Sequence, residues 1–299
     1  VYDPAVKKIA ETIRRVGLIA NPEKPDAARL VRRAAKVLLG LGQIVTCEPA
    51  TADLIGGELP ASASLEQLAR TSDLLLVFGG DGTMLRIACE VAGLPVPLLG
   101  INAGHLGFLT AVPSHRLAES LKKIPEGKFV IEERSLLEAV IQRGDERTTR
   151  IALNDLVIGR GLTSRLIEIE VRVDGELLTS YRCDGFIASS PTGSTAYSLA
   201  AGGAIVSPDA DVLTLTPICP HTLSIRPLVV GLDSTVQVKL LSSRFVASVA
   251  ADGQQQTDIG TGDTVTIRRS ARTIRLLRLD GTSFFSTLRQ KFGWSGGNL

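Results

Sequence analysis

Hydrophobic periodicity changes once along this chain, and that change constrains the fold more than any other feature. Through residue 124, short apolar runs alternate with helix-period segments. Arg15–Ala20 reads as a strand, and Leu30, Val31, Ala34, Val37, Leu38 and Leu41 recur at helical spacing until Gly42 stops them. Ile44–Cys47 reads as a second strand, and Ser64-Leu65-Glu66-Gln67 has the capping-box pattern of a helix start. Residues 73–78 are apolar on both faces of a predicted strand that Gly79 ends, which is the pattern of a buried parallel strand. A helix from Thr83 to about Val91, a strand at 96–101 and a helix at 114–124 complete the alternation, which predicts a parallel sheet covered by helices.

From about Phe129 the helical period gives way to β-rich runs separated by Gly, Asp and Ser. Ile167, Ile169, Val171 and Val173 alternate with Glu168, Glu170, Arg172 and Asp174 before Gly175, predicting a half-buried strand that enters an Asp-Gly hairpin turn. Further strand-like runs lie at 186–189, 212–216, 236–241, 246–250, 264–268 and 273–277, with no fixed repeat. Phe284, Phe285, Leu288 and Phe292 read as a last helix packing back on the first domain, with 293–299 as a loose tail. The expected architecture is α/β plus all-β. A Rossmann-like parallel α/β domain spans 1–128, joined by 283–299, and a sandwich-like β domain spans 129–282.

Composition excludes several function classes. The 299 residues carry 33 Lys plus Arg against 31 Asp plus Glu, a net charge of +2, so no overall positive field draws the chain onto nucleic acid. Aromatic residues are 4% of the chain, poor material for stacking unpaired bases. Cys47, Cys89, Cys183 and Cys219 form no C-x-x-C pair, which suggests neither a zinc knuckle nor a disulfide framework and suits reduced thiols. No apolar run approaches the roughly 20 residues that span a bilayer, and the first residues lack a signal-peptide core. The expectation is a cytoplasmic protein without a nucleic-acid or membrane partner.

Three segments can carry chemistry. Gly79-Gly80-Asp81-Gly82-Thr83 sits between a buried strand and a helix start, where open parallel sheets bind ligands. Its glycines admit close approach of phosphate oxygens to backbone amides. The same residues also suit a tight turn in which Asp81 or Thr83 caps the helix. Leu85 stands where a dinucleotide fingerprint has its third glycine, and Gly127-Lys128-Phe129 lacks the hydroxyl residue of a phosphate-binding P-loop. The second segment, from Ser190 to Gly203, is rich in hydroxyls ahead of a short helical run. Tyr197 there suits either a purine face or the core. The third comprises two polar pairs, Asn154-Asp155 and Arg182-Cys183-Asp184, able to meet the donor and acceptor edge of adenine or to serve as turn residues. His105, His115 and His221 are too scattered for a local metal motif. Gly293-Trp294-Ser295-Gly296-Gly297 matches a nucleophile elbow only in form, because no strand precedes it.

Taken in order, 79–83, 100–109, Asn154-Asp155, 182–185, 191–203 and 220–229 resemble the successive signatures of the NAD kinases. The glycine-Asp motif alone is shared with diacylglycerol, sphingosine and phosphofructokinase-type kinases, whereas the Thr-Gly-Ser-Thr-Ala-Tyr block is more selective. The resemblance implies transfer of the γ-phosphoryl group of ATP, or of polyphosphate, to the 2′-hydroxyl of the adenosine ribose of NAD, with Mg²⁺ and a homodimer or homotetramer. It implies Asp81 as general base and Gly79, Gly80, Gly82, Thr83, Arg86, Asn102 and Phe108 as cofactor-binding positions. Substrate-binding positions carried over are Asn154, Asp155, Arg165, Arg182, Asp184, Thr195, Ala196, Tyr197, Ser198, Ala200 and Gln254, with no metal ligand. Asp155 stands where many relatives have Glu, Ala200 where Ser is frequent and Ala204 where Pro is common. The rival readings are a lipid or sugar kinase of the same superfamily and a non-catalytic NAD-binding regulator.

Overall fold

The computed structural model describes residues 12–104, 106–110, 112–161, 165–222, 224–242 and 247–294. His105, the first residue of the 246–250 run and the tail beyond Trp294 lie outside them. The chain divides into two compact units, Val1–Glu133 with Ile274–Leu299, and Arg134–Thr273.

In the first unit, β1 (Arg15–Ala20), β2 (Ile44–Cys47), β3 (Leu74–Gly79) and β4 (Pro97–Asn102) pair in parallel in the order β2-β1-β3-β4. Arg275 and Leu276, from the last strand of the chain, pair parallel with Pro97 and Leu98 of β4. A two-residue strand, β5 (Val112–Pro113), pairs with the other end of β4. Around this sheet run α1 (Ala27–Gly40), α2 (Pro49–Leu54), α3 (Leu65–Thr71), α4 (Asp81–Glu90) and α5 (Leu117–Lys122). All six residues of β3 are buried, as an apolar run without alternation requires when both faces are covered. Leu30, Val31, Ala34 and Leu38 of α1 join Val16, Leu18, Leu76 and Phe78 in one core. Fully burying a side chain such as Leu76 or Phe78 contributes about 1.5–3 kcal/mol. Ser64 caps α3 as expected, its hydroxyl accepting the Gln67 amide at 3.1 Å.

The second unit is an antiparallel sandwich. Its strands are β6 (Phe129–Arg143), β7 (Glu146–Ala152), β8 (Asp155–Gly159), β9 (Ile167–Val173), β10 (Glu176–Cys183), β11 (Gly185–Ser189), β12 (Val212–Ile218), β13 (Leu228–Gly231), β14 (Val236–Leu240), β15 (Ala247–Ala251), β16 (Gln255–Ile259) and β17 (Thr264–Leu279), of which β6 up to Glu133 and β17 from Ile274 belong to the first unit. One sheet runs β10-β9-β14-β17 and the other β13-β12-β11-β8-β15-β16. Their inner faces share one core that includes Ile169, Val171, Phe186, Leu213 and Val249. The β9–β10 hairpin turns at Asp174 (φ 52°) and Gly175 (φ 84°), the pair of positive angles that an Asp-Gly turn supplies. The last helix, α6 (Phe284–Phe292), belongs to the first unit.

Several boundaries differ from the sequence expectation. The helix expected from Thr83 begins two residues earlier, so Asp81 and Gly82 form its first turn. The helix expected over 114–124 is a 3₁₀ turn followed by the six residues of α5. The runs at 264–268 and 273–277 form one 16-residue strand, because the polar residues between them interrupt the apolar pattern without breaking the backbone. The polar pair Asn154-Asp155 falls where one strand ends and the next begins, with Leu153 and Asn154 forming the corner between them.

Candidate functional site

In the first unit, the GGDGT segment leaves the C-terminal edge of β3 and enters α4 with Gly80 at the N-cap and no side chain capping the helix. The capping role open to Asp81 and Thr83 is therefore unused. The Asp81 carboxylate turns instead to a segment 27–29 residues onward. Oδ2 accepts the Phe108 amide at 2.8 Å, and Oδ1 accepts the Leu109 amide, the Thr110 amide and the Thr110 hydroxyl, each at 3.1 Å. Three donors occupy Oδ1 and one occupies Oδ2, so acceptor capacity remains at Oδ2. Gly107 makes this fit possible. A Cβ placed there would overlap the Asp81 carboxylate and lie 2.6 Å from the Thr110 hydroxyl.

The 106–110 segment is itself held by α6. Lys291 Nζ donates to the Leu106 carbonyl at 2.9 Å and stands 5.0 Å above the Phe108 ring. That ring lies 6.0 Å from Phe284 and 6.4 Å from Phe292, centroid to centroid. Asn102 is buried, and its side-chain oxygen accepts the Gly104 amide at 2.6 Å. Arg86, exposed on α4, pairs with Glu90 at 2.8 Å. Glu48, directly after β2, is 7% exposed. Burial pushes its carboxyl up, partly opposed by Arg86 and by the Thr51 hydroxyl. Sequence reasoning passed over Glu48, although an acid just past the C-terminal end of a parallel strand lies at the ligand-binding edge of such sheets.

In the second unit, Leu153 and Asn154 form the corner between β7 and β8, and Asp155 is the first residue of β8. Asp155 is 5% exposed, and its titration is pushed up to about 7 by burial first and the Asp252 carboxylate second, against a hydrogen bond from the Tyr197 backbone amide. The hydroxyl-rich block after β11 folds as a 3₁₀ turn, Thr192–Thr195, then a single helical turn, Tyr197–Ala200. Its buried hydroxyls are used internally. Ser190 donates to the Leu153 carbonyl at 2.5 Å, Ser194 to the Val206 carbonyl at 3.2 Å, and Ser198 pairs with Thr216 at 3.0 Å. Thr195 and Ala196 are half-buried, while Tyr197 and Ala200 are exposed, Tyr197 by 47%. Gly193 lets this block press on the corner, since a Cβ there would overlap the Asn154 carbonyl.

Not every expected residue joins that group. Ser189 is opposite Asp155 and Gly185 is opposite Gly159, so the Asp184 end of β11 is four residues away along the ladder. At about 3.4 Å per residue that is roughly 14 Å. Asp184 pairs there with Arg160 at 3.4 Å, and the Arg182 carbonyl accepts the His221 amide at 2.8 Å. Arg165 is exposed, and Gln254 is an exposed turn residue whose amide donates to the Ala251 carbonyl at 3.0 Å.

Both segments match known families. Residues 16–129 match the ATP-NAD kinase N-terminal domain and residues 153–279 the ATP-NAD kinase C-terminal domain. The chain belongs to the NAD kinase family. It is 43% identical over 280 residues to an NAD kinase of Thiobacillus denitrificans, covering 93% of this chain and 96% of that one. It is 40% identical over 284 residues to an NAD kinase of Nitrosomonas europaea, covering 95% and 96%. Among solved structures, yeast NADH kinase complexed with NADH superposes with a TM-score of 0.87 at 26% identity, covering 95% of this chain and 89% of that one. An NAD kinase from Archaeoglobus fulgidus in complex with ATP gives 0.72 at 27% identity, covering 93% and 97%. Within this family the Asp155 corner and the Asp81 turn fall in different matched domains, one in each segment.

Proposed function

We propose that this chain is a phosphotransferase that moves the γ-phosphoryl group of ATP to the 2′-hydroxyl of the adenosine ribose of NAD, releasing NADP and ADP. Family membership and the likeness to yeast NADH kinase complexed with NADH and to an NAD kinase in complex with ATP support this substrate pair. The observation that carries the chemistry is the Asp81 carboxylate, fixed by three amides and a hydroxyl with acceptor capacity left on Oδ2. In the proposed step Oδ2 takes the 2′-hydroxyl proton. The ribose oxygen bonds to the γ-phosphorus, whose bond to the bridging oxygen breaks, and ADP leaves with that electron pair. Base catalysis of this kind contributes about 10²–10⁴-fold, and alignment of the phosphates supplies most of the remaining acceleration.

Among the described residues no three His, Cys, Asp or Glu side chains converge to hold a metal ion, which does not fit a cation cage built by the protein. The divalent cation accordingly enters with ATP as part of the substrate, and no step is assigned to it. Recognition of the adenosine half is assigned to Asn154, Asp155, Thr195 and the exposed Tyr197 ring, which offers an aromatic face to a base. No helix among the described residues is long and apolar enough to cross a membrane, and the reading includes a cytoplasmic location that keeps Cys47, Cys89, Cys183 and Cys219 as thiols. It also includes a homodimer or homotetramer, supported by exposed Leu177 and Leu178 on edge strand β10 and Leu228 and Val229 on edge strand β13.

Incubation of the purified protein with NAD, ATP and Mg²⁺, followed by mass spectrometry, is expected to show a 2′-phosphorylated dinucleotide. Asp81→Asn is expected to lower kcat by about 10²–10⁴-fold while NAD still binds in calorimetry. Near-normal turnover in that variant removes Asp81 from the mechanism.

A further inference from the structure

Asp252 is held where a side chain adopts an uncommon backbone conformation, and its carboxylate accepts three amides from one short stretch of chain. It occupies the turn between β15 and β16 with φ 50°, followed by Gly253 at φ 69°, and the Gln254 amide closes the turn on the Ala251 carbonyl at 3.0 Å. Gly or Asn serves such a turn at least as well as Asp, so the turn alone gives no reason for a carboxylate. The reason lies 97–99 residues earlier. Oδ2 accepts the Leu153 amide at 2.8 Å, and Oδ1 accepts the Asn154 amide at 2.8 Å and the Asp155 amide at 3.1 Å. The Asp252 amide donates back to the Asp155 carbonyl at 3.0 Å. Three consecutive amides converging on one anion are charge-assisted bonds, stronger than neutral ones.

The carbonyls of the same corner are held from the other side. Leu153 O accepts the Ser190 hydroxyl at 2.5 Å, and Asn154 O accepts the Ser190 amide at 2.9 Å and the Ser189 hydroxyl at 3.2 Å. Every backbone polar atom of Leu153, Asn154 and Asp155 thus has a fixed partner. An ordinary connection between two strands is left to solvent and to its own turn bonds. This one is immobilised at Asn154 and the buried Asp155.

We propose that Asp252 is a positioning residue for the dinucleotide: by fixing three successive amides it aims the Asn154 and Asp155 side chains at the adenosine half of NAD. The inference rests on the reading that this corner binds NAD. Asp252 has a second effect on the corner. Among the described residues, the groups that bear on the Asp155 carboxyl are the Asp252 carboxylate and the Tyr197 backbone amide, and Asp252 pushes the titration upward. Its removal therefore shifts pH dependence as well as affinity.

The test uses the full-length enzyme and three variants, Asp252→Asn, Asp252→Glu and Asn154→Ala, with NAD varied at saturating ATP and ATP varied at saturating NAD. Asp252→Asn places an amine against at least one of the three amides. It is expected to raise KM for NAD roughly ten-fold or more while KM for ATP and kcat change far less. The limb of the pH profile of kcat/KM for NAD near neutrality is expected to move to lower pH. Asp252→Glu keeps the charge and is expected to recover part of the KM. An unchanged KM for NAD and an unmoved limb in Asp252→Asn, with Asn154→Ala raising KM, overturn the role of Asp252 alone. An unchanged KM in Asn154→Ala overturns the reading of the corner itself. Should Asp252→Asn not fold, hydrogen exchange on the wild type decides. Slow exchange at the amides of residues 153–155 that slows further on adding NAD supports the proposal, and exchange unaffected by NAD refutes it.

Discussion

Replacing Asp155 by Asn removes a carboxyl group from a place that penalises its ionised form, and the consequence is a change in how stability depends on pH. The folded protein pushes the Asp155 titration from the ordinary 3.8 up to about 7, through burial and the Asp252 carboxylate. A raised titration means that the folded state holds the proton more tightly than the unfolded chain. The associated stabilisation is complete below pH 3.8 and is lost as pH rises through 7. Three units or so at 1.36 kcal/mol each make the whole effect about 4 kcal/mol. Between pH 5 and pH 8, where denaturation is practical, the same linkage gives a loss of about 2 to 3 kcal/mol. The amide side chain of the Asp155→Asn variant carries no titrating proton, so the variant is expected to lose less stability than the wild type over that interval, by about this amount. Urea unfolding at half-unit steps from pH 5 to pH 8 measures both slopes, and titrating groups remote from the Asp155–Asp252 pair cancel in the comparison. Parallel curves for the two proteins would refute the reasoning, because they would mean that Asp155 ionises as easily folded as unfolded.

Gly107→Ala drives a Cβ onto the Asp81 carboxylate. We expect it to lower kcat by at least 10²-fold with a depressed melting temperature, and normal turnover would show that Asp81 works without its amide cradle. Gly193→Ala presses on the Asn154 carbonyl. It is expected to raise KM for NAD more than KM for ATP in steady-state kinetics. Lys291→Met keeps the aliphatic stem but loses the bond to the Leu106 carbonyl and the charge over Phe108. The expected destabilisation is about 1 kcal/mol by urea denaturation, with kcat falling while both KM values hold, because the segment it releases is the one that anchors Asp81.

What could be read from the sequence was whatever depends on neighbours within a few residues. The parallel strands came from unbroken apolar runs such as Leu74–Gly79, the helices from 3.6-residue spacing, the β9–β10 hairpin from Asp174-Gly175 and the start of α3 from Ser64. The strand-turn-helix context of Asp81 was equally local. The edge strand β16 and the first turn of α4 were not legible, since polar residues and glycines mask the pattern that would announce them, and β13 was missed because its four residues are too short a run to show a period.

The site depended on partners that local pattern does not reveal. Nothing near Asp81 in the chain indicates that its carboxylate turns to amides 27–29 residues away, or that Gly107 stays small to admit it. Asp252 could be read as part of a turn, but not as the anchor of amides 97–99 residues earlier. The hydroxyls of Ser190, Ser194 and Ser198 belong to the hydroxyl-rich segment ahead of a helical run, and packing turned them inward to carbonyls and to Thr216. Sequence alone determined the periodicities, because side-chain direction repeats with the backbone, and it placed Asp81 at the C-terminal edge of a parallel sheet. Only the tertiary structure decided which oxygen that acid leaves available and which carboxyl stays protonated near neutrality, because hydrogen bonds and desolvation are set by atoms that folding brings together from distant parts of the chain.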